Sequence, residues 1–166
     1  MNPFKIEKLA RHHPVEDFDC GSFELNRFLA KFALGNQQAN ASQTHVGFGQ
    51  GKVIGFYTLV VGDIDHATAP ERMTKGLARH PVPVMVLARL AVDQSWQGKG
   101  VGIGLLRDAA QRMLAAADIA GIRALVVHAK DDRAVQFYRH FGFAEGFNDP
   151  LHLYVLTKEL KALIGA

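Results

Sequence analysis

The sequence predicts an α/β (α+β) domain: a central, mixed, twisted sheet of six to seven strands flanked by about four helices. Three observations predict it. An apolar run, Val84 to Val92, leads into a glycine-rich corner and then a long helical stretch. A second apolar run, Ile122 to His128, follows that helix, and strand–helix–strand implies a parallel pair with a right-handed crossover. Ahead of both, shorter alternating segments are divided by Gly, Asn and Ser turns, which is antiparallel patterning.

Taken in order, Phe4 to Leu9 alternates weakly and reads as a first strand. Asp17 to Ser22 is a turn, with Ser22 placed to cap a helix. Phe23, Leu25, Phe28, Leu29 and Phe32 recur at three- and four-residue steps, so one helical face is apolar, and a second helical segment covers Phe32 to about Ala41. His45 to Phe48 and Val53 to Val61 read as two strands around the turn Gly49-Gln50-Gly51-Lys52. Asp63 to Pro81 is the least regular part. Pro70 is placed to open a short helix in which Arg72, Lys75 and Arg79 share a basic side. Pro81 and Pro83 end it and launch the central strand. That strand is apolar on both faces except at Arg89, as a covered strand should be. Arg89 is then either a packed structural arginine or a cation aimed into a cleft.

Past the corner, Leu105, Leu106, Ala109, Ala110, Met113, Leu114 and Ala117 form a stripe of helical period, which is core packing. Asp131-Asp132 is placed to cap a last helix, Arg133 to His140, ended by Gly142. Leu151 to Leu156 is a closing strand with a short lysine-bearing tail. At 166 residues with no repeats or linkers, the chain is expected to be one domain over residues 1–166.

Composition narrows the function classes. Hydrophobic residues at 48% and charged residues at 21% are ordinary for a globular chain. A lone cysteine, Cys20, excludes an intrachain disulfide and points to a reducing compartment. Neither a signal pattern nor a run long enough to span a membrane is found, so the expected location is cytoplasmic. A net charge of +3 is only modestly basic. His45, His66, His80 and His128 lack metal-ligand spacing, and no metal is expected.

The chemistry concentrates at the corner. Gly98, Gly100 and Gly102 let the backbone approach a ligand closely, and the free N–H groups of the following helix start offer an anion site. Spacing excludes two families of phosphate binder. A P-loop requires Ser or Thr after Gly-Lys, whereas Gly100 follows Lys99; and no start point satisfies Gly-x-Gly-x-x-Gly. A glycine-rich turn without any ligand is the plain alternative.

Gln97, Gly100 and Gly102 satisfy Gln-x-x-Gly-x-Gly, preceded by Leu90-Ala91-Val92-Asp93, and this resembles the acetyl-CoA-binding motif of the GNAT acetyltransferases. Ala134, Phe137, Tyr138, Gly142 and Phe143 resemble that superfamily's A-x-x-F-Y-x-x-x-G-F segment. The resemblance implies the GNAT fold, with splayed parallel strands over 84–92 and 122–128. It implies acetyl-CoA as co-substrate, bound by Leu90, Ala91, Val92, Gln97, Gly98, Lys99, Gly100, Val101 and Gly102. It also implies Tyr138 as the acid that protonates the departing sulfur, against the alternative that Tyr138 fills the core with its hydroxyl bonded. A phenol, with a pKa near 10, keeps its proton beside a thiolate of pKa about 8.5.

Further stretches (Phe18 to Ser22, Leu25 to Leu29, Val53 to Leu59, Pro81 to Asp93) resemble one branch of the superfamily, the TacT-type toxins of bacterial toxin–antitoxin pairs. That branch implies acetylation of the α-amine of aminoacyl-tRNA, a block of translation, a cognate ribbon-helix-helix antitoxin, and a homodimer in the bacterial cytoplasm. Arg72, Lys75 and Arg89 are the expected RNA contacts, through backbone charge. A GNAT enzyme for a small amine, a protein N-terminus or lysine, and a non-catalytic CoA-binding module are the alternatives. The first of these requires an acidic or aromatic acceptor pocket.

Overall fold

The computed structural model describes residues 4–165. Its strands are β1 (Lys5–Lys8), β2 (Gln43–Gly49), β3 (Lys52–Ile64), β4 (Val82–Val92), β5 (Ala124–His128) and β6 (His152–Leu156), in one sheet of order β1-β2-β3-β4-β5-β6. The sheet is mixed: β1–β2, β2–β3 and β5–β6 pair antiparallel, and β4–β5 parallel. The helices are α1 (Phe23–Arg27), α2 (Ala33–Gln38), α3 (Glu71–Thr74), α4 (Val101–Ala117), α5 (Asp132–Phe141) and α6 (Thr157–Ile164). The chain condenses into two compact units. One holds residues up to Val60 with Ala88–Ala109; the other holds Val61–Leu87 with the chain from Ala110 onward.

In the first unit the β2–β3 hairpin closes on Gln50 and Gly51, at φ 55° and 71°. Two successive residues of positive φ make the tight turn whose twist matches the flanking strands. Facing pairs then lock the register. Thr44 and Thr58 share a buried 2.8 Å hydrogen bond, and the His45 and Tyr57 rings stack at 5.2 Å. The Tyr57 hydroxyl donates to Asp108 of α4 at 2.6 Å. Leu9, Phe18, Phe28, Leu29, Ala33, Val46, Val53, Phe56 and Ala91 form this unit's core. Gly55 has no room for a side chain: a Cβ would stand 2.8 Å from Leu105 and 3.0 Å from the Ala91 carbonyl oxygen.

The two helical segments expected after Ser22 are one continuous run, α1 and α2 joined by a π-helical stretch, Phe28–Phe32. The inserted residue rotates the apolar face, so Phe28 and Leu29 are buried while Phe32 is exposed. Ser22 caps the run as expected, its Oγ accepting from the Leu25 N–H.

In the second unit Met73, Val82, Val84, Ala124, Val126, Tyr154 and Leu156 form the core. The β4–β5 ladder runs from Val84↔Ala124 to Leu87↔Val127. Asp131 caps α5, its Oδ1 accepting from the Ala134 N–H, and Gly142 ends the helix at φ 133°.

Three expectations need correction. The basic helical side does not form: α3 is a single turn, so Arg79 lies outside it and Lys75 is only its cap residue. The central strand is covered only in part, since Ala88 is exposed just past the end of the parallel ladder. The lysine-bearing tail is helix α6, which buries Leu160; its Glu159 reaches back to accept from the Leu156 N–H.

Candidate active site

The corner is built by β4 running into α4. Asp93 caps a short 3₁₀ turn, Gln94–Trp96, its carboxylate accepting from the N–H and hydroxyl of Ser95 and from the Asp19 N–H. Burial would raise this carboxyl, but those bonds and nearby Lys52 prevail and hold it below the usual carboxylate range. Gly98 and Gly100 then take φ of 76° and 84°, with open space where a Cβ would stand. Their glycines serve backbone conformation, and the open side is where a ligand can approach. Gly102 lies in the first turn of α4. The first bond closing that helix is Gly104 N–H to Gly100 O, so the N–H groups of Val101, Gly102 and Ile103 precede the helical ladder at its positive end.

Gln97, expected among the cofactor-binding residues, turns its amide onto the protein. Its amide donates to the Val92 carbonyl at 2.9 Å and to the Cys20 carbonyl at 3.4 Å. It pins the corner to the strand end and to the N-terminal turn. Gly21 packs so closely on Gln94 that a Cβ would lie 2.7 Å from its amide nitrogen. The Gln94 N–H also donates to the Asp19 carbonyl. The Asp19-Cys20-Gly21 turn is therefore a brace of the corner, which nothing in its local sequence reveals. Lys99 is exposed, with its ammonium 5.4 Å from the Trp96 ring centroid. Leu90 and Val92 are half-buried and Ala91 buried along the strand end.

Tyr138 lies on α5, in the second unit. The residue is 7% exposed, and its ring meets Phe137 and Phe143 edge-on at 5.2 and 5.4 Å. Its hydroxyl has no hydrogen-bond partner among the described residues. Burial pushes the phenol well above its ordinary pKa, so the proton is retained across the working pH range. A core-filling tyrosine satisfies its hydroxyl; this one keeps a protonated donor free.

The expected RNA contacts fare unevenly. Arg72 is engaged within its own unit: it donates to the Tyr154 hydroxyl at 3.2 Å, pairs with Glu159, and sits over the Tyr154 ring. Its pKa is raised by the bond to Glu159. Lys75 is exposed, and its backbone carbonyl accepts from Arg123. Arg89 stacks on Phe28 with its guanidinium carbon 3.6 Å from the ring centroid. Burial draws its pKa down, and it remains a cation at neutral pH. Sequence reading missed His13, which is buried and bonds Glu7 at 2.7 Å through Nε2 while Nδ1 accepts from the Ala10 N–H. His12 lies beside them, so three potential metal ligands gather here, but both His13 nitrogens are already occupied.

The first unit thus carries a glycine corner opening a helix, and the second a short parallel ladder and a largely buried tyrosine whose hydroxyl has no protein partner among the described residues. The family model of the GNAT acetyltransferase domain matches residues 40–145, and the chain belongs to that family. Among its relatives is a tRNA-acetylating toxin of Mycobacterium tuberculosis, 46% identical over 151 residues, covering 91% of this chain and 90% of the relative. Among solved structures, AtaT complexed with acetyl-methionyl-tRNAfMet superposes with a TM-score of 0.89 at 28% identity, over 96% of this chain and 98% of that one. A tyrosine-to-phenylalanine mutant of AtaT, bound to acetyl-CoA and the C-terminus of the antitoxin AtaR, matches with a TM-score of 0.83 at 26% identity, over 99% and 100%. Among the described residues, no helix is long and apolar enough to cross a membrane.

Proposed function

We propose that this chain is an acetyl-CoA-dependent N-acetyltransferase toxin. It acetylates the α-amine of an amino acid carried on tRNA and so blocks translation in the bacterial cytoplasm until a cognate antitoxin neutralises it. The observation that carries the chemistry is Tyr138, a largely buried residue whose hydroxyl has no protein partner among the described residues and whose phenol burial holds in its protonated form. The acceptor assignment is supported by the 46% identity to a tRNA-acetylating toxin over nine-tenths of the chain. Both units are read as one catalytic domain, because β3, β4 and α4 each contribute residues to both.

The corner N–H groups, with Gly98, Gly100 and Gly102 clearing the approach, hold the CoA pyrophosphate, and Gln97 keeps the corner in shape. Leu90 to Val92 offer backbone groups to the pantetheine arm, and a strand-end N–H (Leu90 or Ala91) stabilises the oxyanion. The substrate amine attacks the thioester carbonyl, the carbon–sulfur bond breaks as the Tyr138 proton moves to sulfur, and the proton shed by the attacking nitrogen restores the phenol. An α-amine titrates near pH 8, so roughly a tenth is already a free nucleophile at pH 7 and a strong dedicated base is dispensable. Arg89 and Lys75 remain the proposed RNA contacts. The role proposed for Arg72 shifts to bracing α3 against β6 and α6. A homodimer bound by a ribbon-helix-helix antitoxin completes the proposal.

A small cationic amine as acceptor is favoured by one observation. A cavity of about 400 Å³ in the first unit is lined by Asp17, Asp19, Asp93 and Trp96, among others. One experiment separates the two readings: purified protein, labelled acetyl-CoA, and total bacterial tRNA either charged or deacylated, with a panel of small amines alongside. Label in charged tRNA alone, lost in Tyr138→Phe, is the expected result. Label only in the small amines overturns the toxin assignment.

A further inference from the structure

A column of rings in the second unit lies outside the groups assigned so far to acetyl transfer. His128 and His152 face each other across the β5–β6 ladder, and a facing antiparallel pair places both side chains on one face of the sheet. Their rings lie 9° from parallel with centroids 5.6 Å apart. Phe147, from the loop before β6, stacks on His152 at 3.8 Å and 10°. Phe147 in turn meets the buried Tyr154 edge-on at 5.9 Å. The column thus runs from the core to solvent, and His128, with a side chain 62% exposed, ends it.

Asp149 fixes the outermost ring. Its Oδ1 accepts from the Leu151 N–H at 2.9 Å, which sets the carboxylate in place, and its Oδ2 holds His128 Nε2 at 3.0 Å. Burial, with His128 alongside, lowers the His152 pKa against the pull of Asp149, so the middle ring stays neutral and stacks without charge repulsion. Core packing alone requires Phe147 and Tyr154. It does not require a flat, mostly exposed ring with a carboxylate set against its edge. Exposed planar rings of fixed orientation are how proteins hold unpaired nucleobases, because every base has a π-face. Lys130, just past His128 in the chain, and Arg133, in the first turn of α5, are both exposed and suit the phosphates flanking such a base.

We propose that the Phe147–His152–His128 column is a stacking platform for an unpaired nucleobase at the single-stranded acceptor end of the tRNA, with Lys130 and Arg133 contacting its phosphates. The proposal rests on the aminoacyl-tRNA reading above and adds the part of the substrate this face receives. The same chemistry suits the adenine of CoA, and the test separates the two.

The probe is a short uncharged RNA ending in CCA with 2-aminopurine as its last base, whose fluorescence falls on stacking. Wild type is expected to quench it. His128→Ala is expected to weaken binding by roughly 5- to 150-fold, the span of one base–aromatic stack. His128→Phe, which keeps a flat ring, is expected to stay within about threefold of wild type, and neither variant should shift the melting temperature at so exposed a site. In turnover assays His128→Ala should raise the KM for charged tRNA and leave that for acetyl-CoA unchanged. Equal RNA affinity in wild type and His128→Ala overturns the proposal, as does a loss confined to acetyl-CoA, which would give the ring to the CoA adenine. The probe needs no aminoacyl group. Quenching by an enzyme that acetylates no charged tRNA therefore upholds the platform and defeats the acceptor reading, whereas acetylation without RNA quenching does the reverse.

Discussion

Replacing Tyr138 with Phe removes one oxygen and, in this structure, no hydrogen bond to protein. The ring keeps its edge-on contacts with Phe137 and Phe143. Folding stability should therefore change by no more than about 0.5 kcal/mol, the range of substitutions that break no named interaction. Turnover should respond very differently. A positioned general acid contributes about 10²–10⁴-fold, or about 3–5 kcal/mol of barrier. The assay is steady-state release of free CoA with charged tRNA as acceptor, beside a thermal melt of the same samples. A fall in kcat of at least a hundredfold, with the KM for acetyl-CoA held within a few-fold, is expected. The pH profile adds an independent check. Burial raises the phenol above its ordinary value near 10, so wild-type kcat should rise as the amine deprotonates near pH 8 and show no falling limb up to about pH 9.5. A Tyr138→Phe enzyme within threefold of wild type, or a falling limb at pH 8 to 9, would refute the assignment.

Three further perturbations test the remaining structure. Gly100→Ala forces a left-handed residue, at φ 84°, at a cost of about 1–2 kcal/mol. Because the space around it is open, the protein should still fold while the KM for acetyl-CoA rises more than tenfold in a CoA-release titration. Arg72→Ala and Glu159→Gln should each lower stability by no more than about 1 kcal/mol, as an exposed ion pair does. In chemical denaturation their effects should be less than additive, with the KM for tRNA unmoved, and a tRNA-specific loss would restore Arg72 to the RNA face. Glu7 is held below its ordinary pKa by the hydrogen bond from His13. Its folded pKa is depressed, so its contribution is present above the unfolded carboxyl value and lost as pH falls through the lower folded one. Glu7→Gln should therefore flatten the melting temperature between about pH 5 and 3, and an unchanged acid slope would show the pair to be inert.

Much of the fold was legible because its signals are local. The Ser22 and Asp131 caps, the Gly142 stop, the Gln50-Gly51 turn and the stripe of α4 each depend on a few neighbouring residues, and the structure reproduces them. Reading failed where the deciding partner is remote. The basic side at Arg72 required a helix that its neighbours do not sustain, and the arginine instead answers Glu159, far along the chain. The tail hid a helix because its cap is Glu159 reaching back rather than a side chain at the start. The π-helical stretch at Phe28 was illegible for another reason: mixed three- and four-residue spacing is also what a regular helix shows, and only the burial of Phe28 against an exposed Phe32 reveals the inserted residue.

The site divides along the same line, and the division explains which residue types carry it. The glycines were legible because backbone conformation leaves a mark on residue type. Gln97 was legible as a position, but the remote partners of its amide, the Val92 and Cys20 carbonyls, were not. That gives Gln97→Ala a distinct signature. Losing the bonds to these two carbonyls loosens the corner. Acetyl-CoA affinity should therefore fall with a matching loss of thermal stability, and saturating acetyl-CoA should return kcat to near the wild-type value. Gly100→Ala, by contrast, obstructs the approach itself, and its affinity loss should exceed what its stability loss accounts for. Measured together, the two variants separate a residue that shapes the cradle from one that leaves room in it, and an affinity loss in Gln97→Ala that exceeds its stability loss would show that the glutamine meets the ligand directly.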